Sequence, residues 1–339
     1  MVETNERQWV ASAATECEGN ARLDASSFTV ASWNLQADRC KPGHDGSDRR
    51  GVETCLQQLL REKPHIIVLL EMQRCKRQLR QRDCRYCAAG RCREAHAEWA
   101  DTVLRENGYD GDFHRARMAQ TVGLYFREDS LSRAKVDGRM LFCHFDARFG
   151  EGGNSSKGSV LAPLRHRATG MVFLAVATHL SVPKLPDGAL DTSKPLGELV
   201  QLRRKVEDVF VRNGGALPLI VAGDFNSVPS SGGEGYAPPH VYERLNEAYH
   251  PGRLGWGLQS AYASVLGQEP VFTAWGPDFL GCIDYIFFSP DAFEPLEVLG
   301  VPSQPPQDKD APPSDHLLMQ TRLRFRRAIS EANPAIDMN

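Results

Sequence analysis

Six short apolar runs in this chain open or close on a polar residue suited to acid–base or metal chemistry. "SFTVASWN" closes on Asn34, "HIIVLLE" on Glu71 and "VFLAVATH" on His179, while "LPLIVAGDFN" reaches Asp224 and Asn226. "CIDYIFFS" carries Asp284 near its start, and "SDHLLM" leads with Asp315 and His316. Apolar runs this short suit strands buried on both faces. A chain with six of them must build sheet, and the sheet must deliver polar side chains at strand ends. In extended backbone, residues two apart share a side, so Asp224 and Asn226 are expected to sit side by side.

Other segments fill in the architecture. "RRGVETCLQQLLREK" places Val52, Cys55, Leu56, Leu59 and Leu60 on one helical face. Further helices are predicted at Ala95–Glu106 and Leu196–Arg212, with short ones near Val241–Tyr249 and Leu258–Val265. "TVGLYFR", "RMLFCHF", "SVLAPLRH" and "HLLMQTRLRF" read as strands. Strands occur singly between helices and also in runs, which favours two packed sheets with helices outside over a doubly wound parallel sheet. The 339 residues show no internal repeat and no linker, so one domain over 27–326 is expected, between a loose polar leader at 1–26 and a tail at 327–339.

A net charge of -3 gives no global argument for a polyanionic partner, so a basic footprint would have to be local. No apolar run is long enough to span a bilayer, and "MVETNERQWV" lacks the pattern of a secretory signal. A cytoplasmic protein is expected, with mitochondrial or nuclear residence left open. Nine cysteines in that setting read as reduced thiols or metal ligands.

The polar set matches phosphodiester hydrolysis, which needs an activated water, neutralised phosphoryl charge and help for the leaving oxygen. Mg²⁺ takes oxygen ligands and keeps several waters, which suits Asn34 and Glu71, with Asp315 completing the set directly or through water. His316 accepts a proton if Asp284 fixes its tautomer. Asp224 handles the attacking water or the leaving oxygen, Asn226 holds a nonbridging oxygen, and His179 supplies a further donor.

In order, "SWNL", "VLLEMQ", "ATHLSVP", "VAGDFNSVP", "FTAWGPDFLGCIDYIFFS" and "PSDHLLM" resemble the endonuclease/exonuclease/phosphatase superfamily, over about Phe28 to Phe325. The resemblance implies an α/β fold, a four-layer αββα sandwich of two mainly antiparallel, mixed sheets. It also implies a Mg²⁺-dependent phosphoesterase, with Mn²⁺ as a substitute. "DFLGCIDYIFFS" is similar to the branch that holds deadenylases, nocturnin, angel proteins and 2′,5′-phosphodiesterases. That likeness implies adenine packing on Phe279 and Pro183, and a 3′→5′ exoribonuclease that releases 5′-AMP from adenylate-rich RNA; a monomer is expected. Alternatives are a 2′,5′-oligoadenylate phosphodiesterase, a dinucleotide phosphatase and an inactive RNA-binding scaffold. Trp33 and Trp275 read as core or pocket wall. One departure concerns the strand before "TH". Where relatives often carry asparagine, this chain reads "SKGSVLAP", with Ser159 or Lys157 nearby.

The insertion at 74–96 follows Glu71. Cys84, Cys87, Cys92 and His96 have spacing compatible with a structural zinc, the alternative being reduced thiols on a solvated loop. Its arginines, including Arg74, Arg77, Arg80 and Arg82, could attract RNA phosphates.

Overall fold

The computed structural model describes residues 7–12, 25–35, 50–72, 96–114, 121–134, 140–145, 157–183, 191–229, 240–248, 255–276, 279–305 and 314–326. In chain order these form β1 (Trp9–Ala11), β2 (Ser27–Asn34), α1 (Arg50–Glu62), β3 (Ile66–Met72), α2 (His96–Glu106), β4 (Tyr109–Phe113) and β5 (Thr121–Arg127). Next come β6 (Leu131–Arg133), β7 (Leu141–His144), β8 (Gly158–His166), β9 (Val172–His179), α3 (Ser193–Arg212), β10 (Leu219–Asp224) and α4 (His240–Asn246). The last are β11 (Gln259–Ser260), α5 (Ala261–Leu266), β12 (Ala274–Gly276), β13 (Phe279–Gly281), β14 (Asp284–Phe288), β15 (Phe293–Leu299) and β16 (Met319–Phe325).

One sheet has the order β1-β15-β16-β2-β3-β5-β4, and the other β11-β14-β10-β9-β8-β6 with β7 also on β8. Each is antiparallel except for one parallel pair, β2 with β3 and β9 with β10. Strand alternation explains the layering. Phe28 and Val30 of β2 join the core between the sheets, whereas Ala31 and Trp33 face outward onto α1 and α2. The α1 stripe Val52, Cys55, Leu56 and Leu59 is buried there, as its spacing predicts. On the second sheet, Val176 and Val221 point outward under Leu199, Leu202, Val206 and Val209 of α3 and Leu245 of α4. The result is helices, sheet, sheet, helices, the expected four layers.

Phe28, Phe173, Phe293 and Phe325 cluster between the sheets at the end remote from Asn34, with Phe28 and Phe325 centroids 5.1 Å apart. Each buried ring contributes about 2–3 kcal/mol, so the sandwich is pinned at the end away from the polar residues.

Several sequence expectations change. Trp9–Ala11 lies in the stretch read as loose leader, yet it pairs with β15 as an edge strand. β15 itself escaped prediction because Pro295 interrupts it. Proline cannot donate to a ladder, and the register slips between Pro295 and Glu297. Within the segment read as one helix from Leu258, residues 259–260 form β11. Ser260 then caps α5 by accepting from the Ala263 amide at 3.4 Å, and Gly267 at φ +77° ends the helix.

Among the described residues no helix is long and apolar enough to cross a membrane. Cys55, Cys143 and Cys282 are buried thiols. Cys84, Cys87 and Cys92, with the insertion arginines, lie outside the described residues, as does the tail. His96 is buried at the start of α2.

Candidate active site

Register brings the strand-end residues together. β9 and β10 run parallel with His179 beside Asp224, and β14 runs antiparallel with Asp284 on the other side of Asp224. In the facing sheet, the parallel pair β2 and β3 sets Asn34 beside Leu70, one residue before Glu71. The Asn34 side-chain amide donates to Asp224 Oδ2 at 3.1 Å, which joins the two sheets across 190 residues of sequence. His179 Nε2 lies 3.4 Å from Asp224 Oδ2 and 3.5 Å from Glu71 Oε1.

Backbone geometry aims these groups. Glu71 has φ +55° at the point where the β3–β5 register shifts between Leu70 and Met72. A bulged, left-handed non-glycine residue costs free energy, and such positions concentrate at functional sites. Gly223, at φ +147°, has no room for a side chain, because a Cβ there would lie 1.8 Å from the Thr178 carbonyl oxygen. This close approach lets β10 carry Asp224 to the sheet edge.

Strand alternation is not what sets Asn226 beside Asp224. β10 ends at Asp224, and Asn226 turns to φ +48°. Its backbone N–H donates to Asp224 Oδ1 at 2.9 Å, and its side-chain amide donates to the Leu180 carbonyl at 2.9 Å. The two residues are neighbours through this turn, while Phe225 is buried in the outer core with Tyr285 and Phe287.

Asp284 and His316 form the expected dyad, with His316 Nδ1 at 2.9 Å from Asp284 Oδ2. Both are buried. Thr273 donates from Oγ1 to the same Asp284 oxygen at 2.8 Å and accepts from the Ile283 and Asp284 amides at 3.0 Å each. Ser314 Oγ donates to the Asn34 carbonyl at 2.6 Å and accepts from the His316 amide at 3.1 Å, so it joins the β2 end to the last motif. The Trp33 indole donates to the His316 carbonyl at 3.0 Å from within the α1–α2 core. Trp275 is half-buried against the inter-sheet core, and its amide donates to the Asp315 carbonyl.

Electrostatics separate the carboxylates. Burial disfavours charge on Asp224, but the His179 hydrogen bond, His316 and Lys157 outweigh it and hold the carboxyl well below the ordinary range. Burial lifts the Asp284 carboxyl. Burial also opposes a charged His316, yet Asp284, Asp224 and Asp315 together raise its imidazole well above the usual value.

Two groups are compact enough to share a cation: Glu71, His179 and Asp224, and then Asp224, Asp284 and His316. Asp224 belongs to both. The acidic oxygens of Glu71 and Asp224, with the Asn34 amide beside them, fit a hard divalent ion. Asp315 is partly exposed and sits nearer the dyad, with Oδ1 3.9 Å from His316 Nε2.

Phe279 lies on β13, partly buried against Val228, Ala274 and Ile283. Gly281 leaves room for its ring, since a Cβ there would come within 2.9 Å of Phe279 Cζ. Pro183 is buried four residues beyond His179. The intervening Ser181 is held by Glu198 of α3, which accepts from its amide at 2.7 Å and its hydroxyl at 2.6 Å. The departure before "TH" also resolves. Ser159 pairs with Thr178 Oγ1 at 2.7 Å, while Lys157 reaches His179.

Thr273, Ser314 and Glu198 went unassigned in the sequence. The first two stand inside the recognised motifs, and Glu198 interrupts the apolar stripe of α3, which is a readable signal for a buried carboxylate with a partner.

A model described as the endonuclease/exonuclease/phosphatase family matches residues 31–316. The chain belongs to this family. Carbon catabolite repressor protein 4 homolog 4 of Arabidopsis thaliana is 32% identical over 170 residues, covering 46% of this chain and 38% of its own length. The CCR4-Not complex 3′-5′-exoribonuclease subunit Ccr4 of Mycosarcoma maydis is 29% identical over 126 residues, covering 33% and 19% respectively. This chain spans less than half the length of either relative. The structure of ANGEL2, described as a 2′,3′-cyclic phosphatase, shares the fold with a TM-score of 0.65 and 16% identity, covering 94% of this chain and 99% of that one. Family membership accounts for the shared frame, on which Asn34, Glu71, Asp224, Asp284 and His316 stand at one edge.

Proposed function

We propose that this member of the family is a Mg²⁺-dependent phosphodiesterase that trims adenylate-rich RNA from its 3′ end and releases 5′-AMP. The observation that carries the reading is Asp224, which touches Asn34 from the facing sheet and His179 from the neighbouring strand and lies beside the Asp284–His316 dyad. Relatedness to a named 3′-5′-exoribonuclease subunit supports RNA as the substrate class.

Glu71, Asp224 and Asn34 would hold the ion, with Asp315 at the rim. When bound, it polarises the phosphoryl group and offsets its developing charge. The chain's own groups do the rest. Asp284 binds His316 Nδ1 and so leaves Nε2 to face the substrate, where it takes a proton from the attacking water. Thr273 fixes the Asp284 carboxylate from behind. Asp224 stays ionised and orients the water, while Asn226 closes the corner beside it. Phe279, on its hairpin, offers an apolar ring on which a terminal adenine stacks, worth about 1–3 kcal/mol.

The test compares purified protein on 3′,5′-oligoadenylate, 2′,5′-oligoadenylate and oligouridylate, with Mg²⁺ or EDTA, beside Glu71→Ala. Release of 5′-AMP from the 3′,5′-oligoadenylate, lost in EDTA and in the variant, is expected. Faster cleavage of the 2′,5′ linkage would reassign the substrate. Hydrolysis that survives both EDTA and Glu71→Ala would contradict the mechanism.

A further inference from the structure

The end of the sandwich remote from Asn34 holds a polar cavity of about 700 Å³ that the chemistry above does not use. Lys63, Arg127, Arg167 and Arg322 line it against two acids, Glu62 and Asp129. Its walls therefore carry a surplus of two positive charges in a chain of net charge -3. Thr29, on the same wall, lies five residues before Asn34 along β2, about 17 Å of extended strand, so the cavity is separate from the catalytic edge.

Pairing inside the cavity is incomplete. Arg127 is fully engaged: it grips Asp129 from Nε at 3.0 Å and Nη2 at 2.7 Å, and its Nη1 donates to the Lys63 carbonyl at 3.0 Å. Arg322 Nη2 lies 3.1 Å from Glu297 Oε1, with its guanidinium over the Trp9 ring. By contrast, the Lys63 ammonium has no partner among the described residues. The Arg167 guanidinium uses only Nε, which donates to the Glu128 and Leu131 carbonyls at 2.7 Å and 3.3 Å.

His65 adds a neutral donor. Its Nδ1 accepts the Thr29 backbone N–H at 3.0 Å, so the proton of the neutral ring sits on Nε2, which has no partner among the described residues. Burial weakens the hold of this ring on a second proton, and Arg127, His166 and Arg322 weaken it further against the pull of Asp129. The ring thus senses a positive field at the cavity. Lys63 also has φ +47° at the end of α1, where glycine is usual. The other left-handed non-glycine positions among the described residues are Glu71 and Asn226, both at the catalytic edge. Strain of this kind gathers at ligand sites.

We infer that this cavity is an anion site for a phosphomonoester, whose oxygens accept from Lys63, the Arg167 guanidinium and His65 Nε2. A phosphomonoester brings about two negative charges and three acceptor oxygens at neutral pH, which matches the charge surplus and the three donors without partners. The inference stands on this cavity and not on the phosphodiesterase reading.

The test follows the His65 imidazole by NMR in EDTA while inorganic phosphate or 5′-AMP is added at constant ionic strength, with adenosine and chloride as controls. Phosphate and 5′-AMP should shift His65 saturably, and adenosine and chloride should not. Lys63→Gly relaxes the left-handed strain, so it should melt no lower than wild type. Because the Lys63 and Arg167 side chains are exposed, Lys63→Gly should weaken phosphate binding about 2- to 5-fold, and Lys63→Gly with Arg167→Gln about tenfold. No saturable shift, a shift that chloride reproduces, or an unchanged midpoint in both variants would overturn the inference. A perturbed His316 with His65 unmoved places the anion at the catalytic edge and also overturns it. Comparable midpoints for the two ligands support a site for free phosphate, and tighter binding of 5′-AMP supports one for a nucleotide.

Discussion

Gly223→Ala tests whether the close approach of β10 to β9 sets the site. The new Cβ would lie 1.8 Å from the Thr178 carbonyl oxygen, about half an ordinary van der Waals contact, and 2.9 Å from its carbonyl carbon. Neither atom belongs to a flexible side chain, so the strands themselves must separate. The φ of +147° adds strain of about 1–3 kcal/mol for any L side chain, and overpacking adds about 1–3 kcal/mol more. Together these give a loss of roughly 2–6 kcal/mol and a fall in melting temperature on the order of 10 °C for a domain of this size. The displaced residue is Asp224, next in the chain, whose contacts with Asn34 and His179 are 3.1 Å and 3.4 Å. A shift near 1 Å is expected to cost about 100-fold in kcat. Gly170→Ala is the control, with φ +73° and nothing within 4 Å of its Cβ, so it carries backbone strain without the clash. Thermal melts and oligoadenylate cleavage, measured below both melting temperatures, read the two consequences. If Gly223→Ala lost no more stability than Gly170→Ala and kept wild-type kcat, the close strand approach could not be what positions Asp224.

Three further outcomes follow from particular contacts. Asp284→Asn removes the charge that lifts the His316 pKa, so the acid limb of the pH–rate profile should move to lower pH while kcat falls about 10²–10⁴-fold; an unmoved limb would show that His316 does not carry the proton. His65 accepts the Thr29 backbone N–H at Nδ1 at 3.0 Å, which requires a neutral ring, and burial, then Arg127, lowers its pKa to about 4. Because the folded value lies below the unfolded one, the stability linked to it is complete above about pH 6.5 and is lost as pH falls towards about 4, up to roughly 3 kcal/mol. Denaturant melts of His65→Gln should lack that part of the acid slope, and an unchanged slope would reject the linkage. Phe279→Ala should raise KM for oligoadenylate about 5- to 150-fold with little change in kcat; an equal loss on oligouridylate would point to packing against Val228 and Ile283 instead of base stacking.

Much of this molecule was legible in one dimension. The buried runs of β2, β3, β9, β10 and β14 announced themselves because strands covered on both faces must be apolar throughout. The α1 stripe did so because a helix on a sheet needs one apolar face. The polar residues at strand ends were also readable, since an acid or amide closing such a run has few bland uses when the pattern repeats six times. β15 stayed hidden because Pro295 contradicts the local rule and only pairing with β1 and β16 overrides it. β1 stayed hidden because its three residues carry no periodicity and take their order from the sheet they join.

Sequence alone marked which side chains are candidates for the chemistry and that they would emerge from sheet. Which of them meet was decided by tertiary structure. Asn34 and Asp224 touch only because two sheets pack face to face, and His179, Asp224 and Asp284 align only because one parallel and one antiparallel register coincide. The same packing turned Asn226 out of its strand, placed Thr273 behind Asp284, and buried Lys157 against His179. The physical reason is distance along the chain. Local periodicity records the face on which a residue lies, but it holds no information about a partner 190 residues away, which strand pairing and core packing must supply.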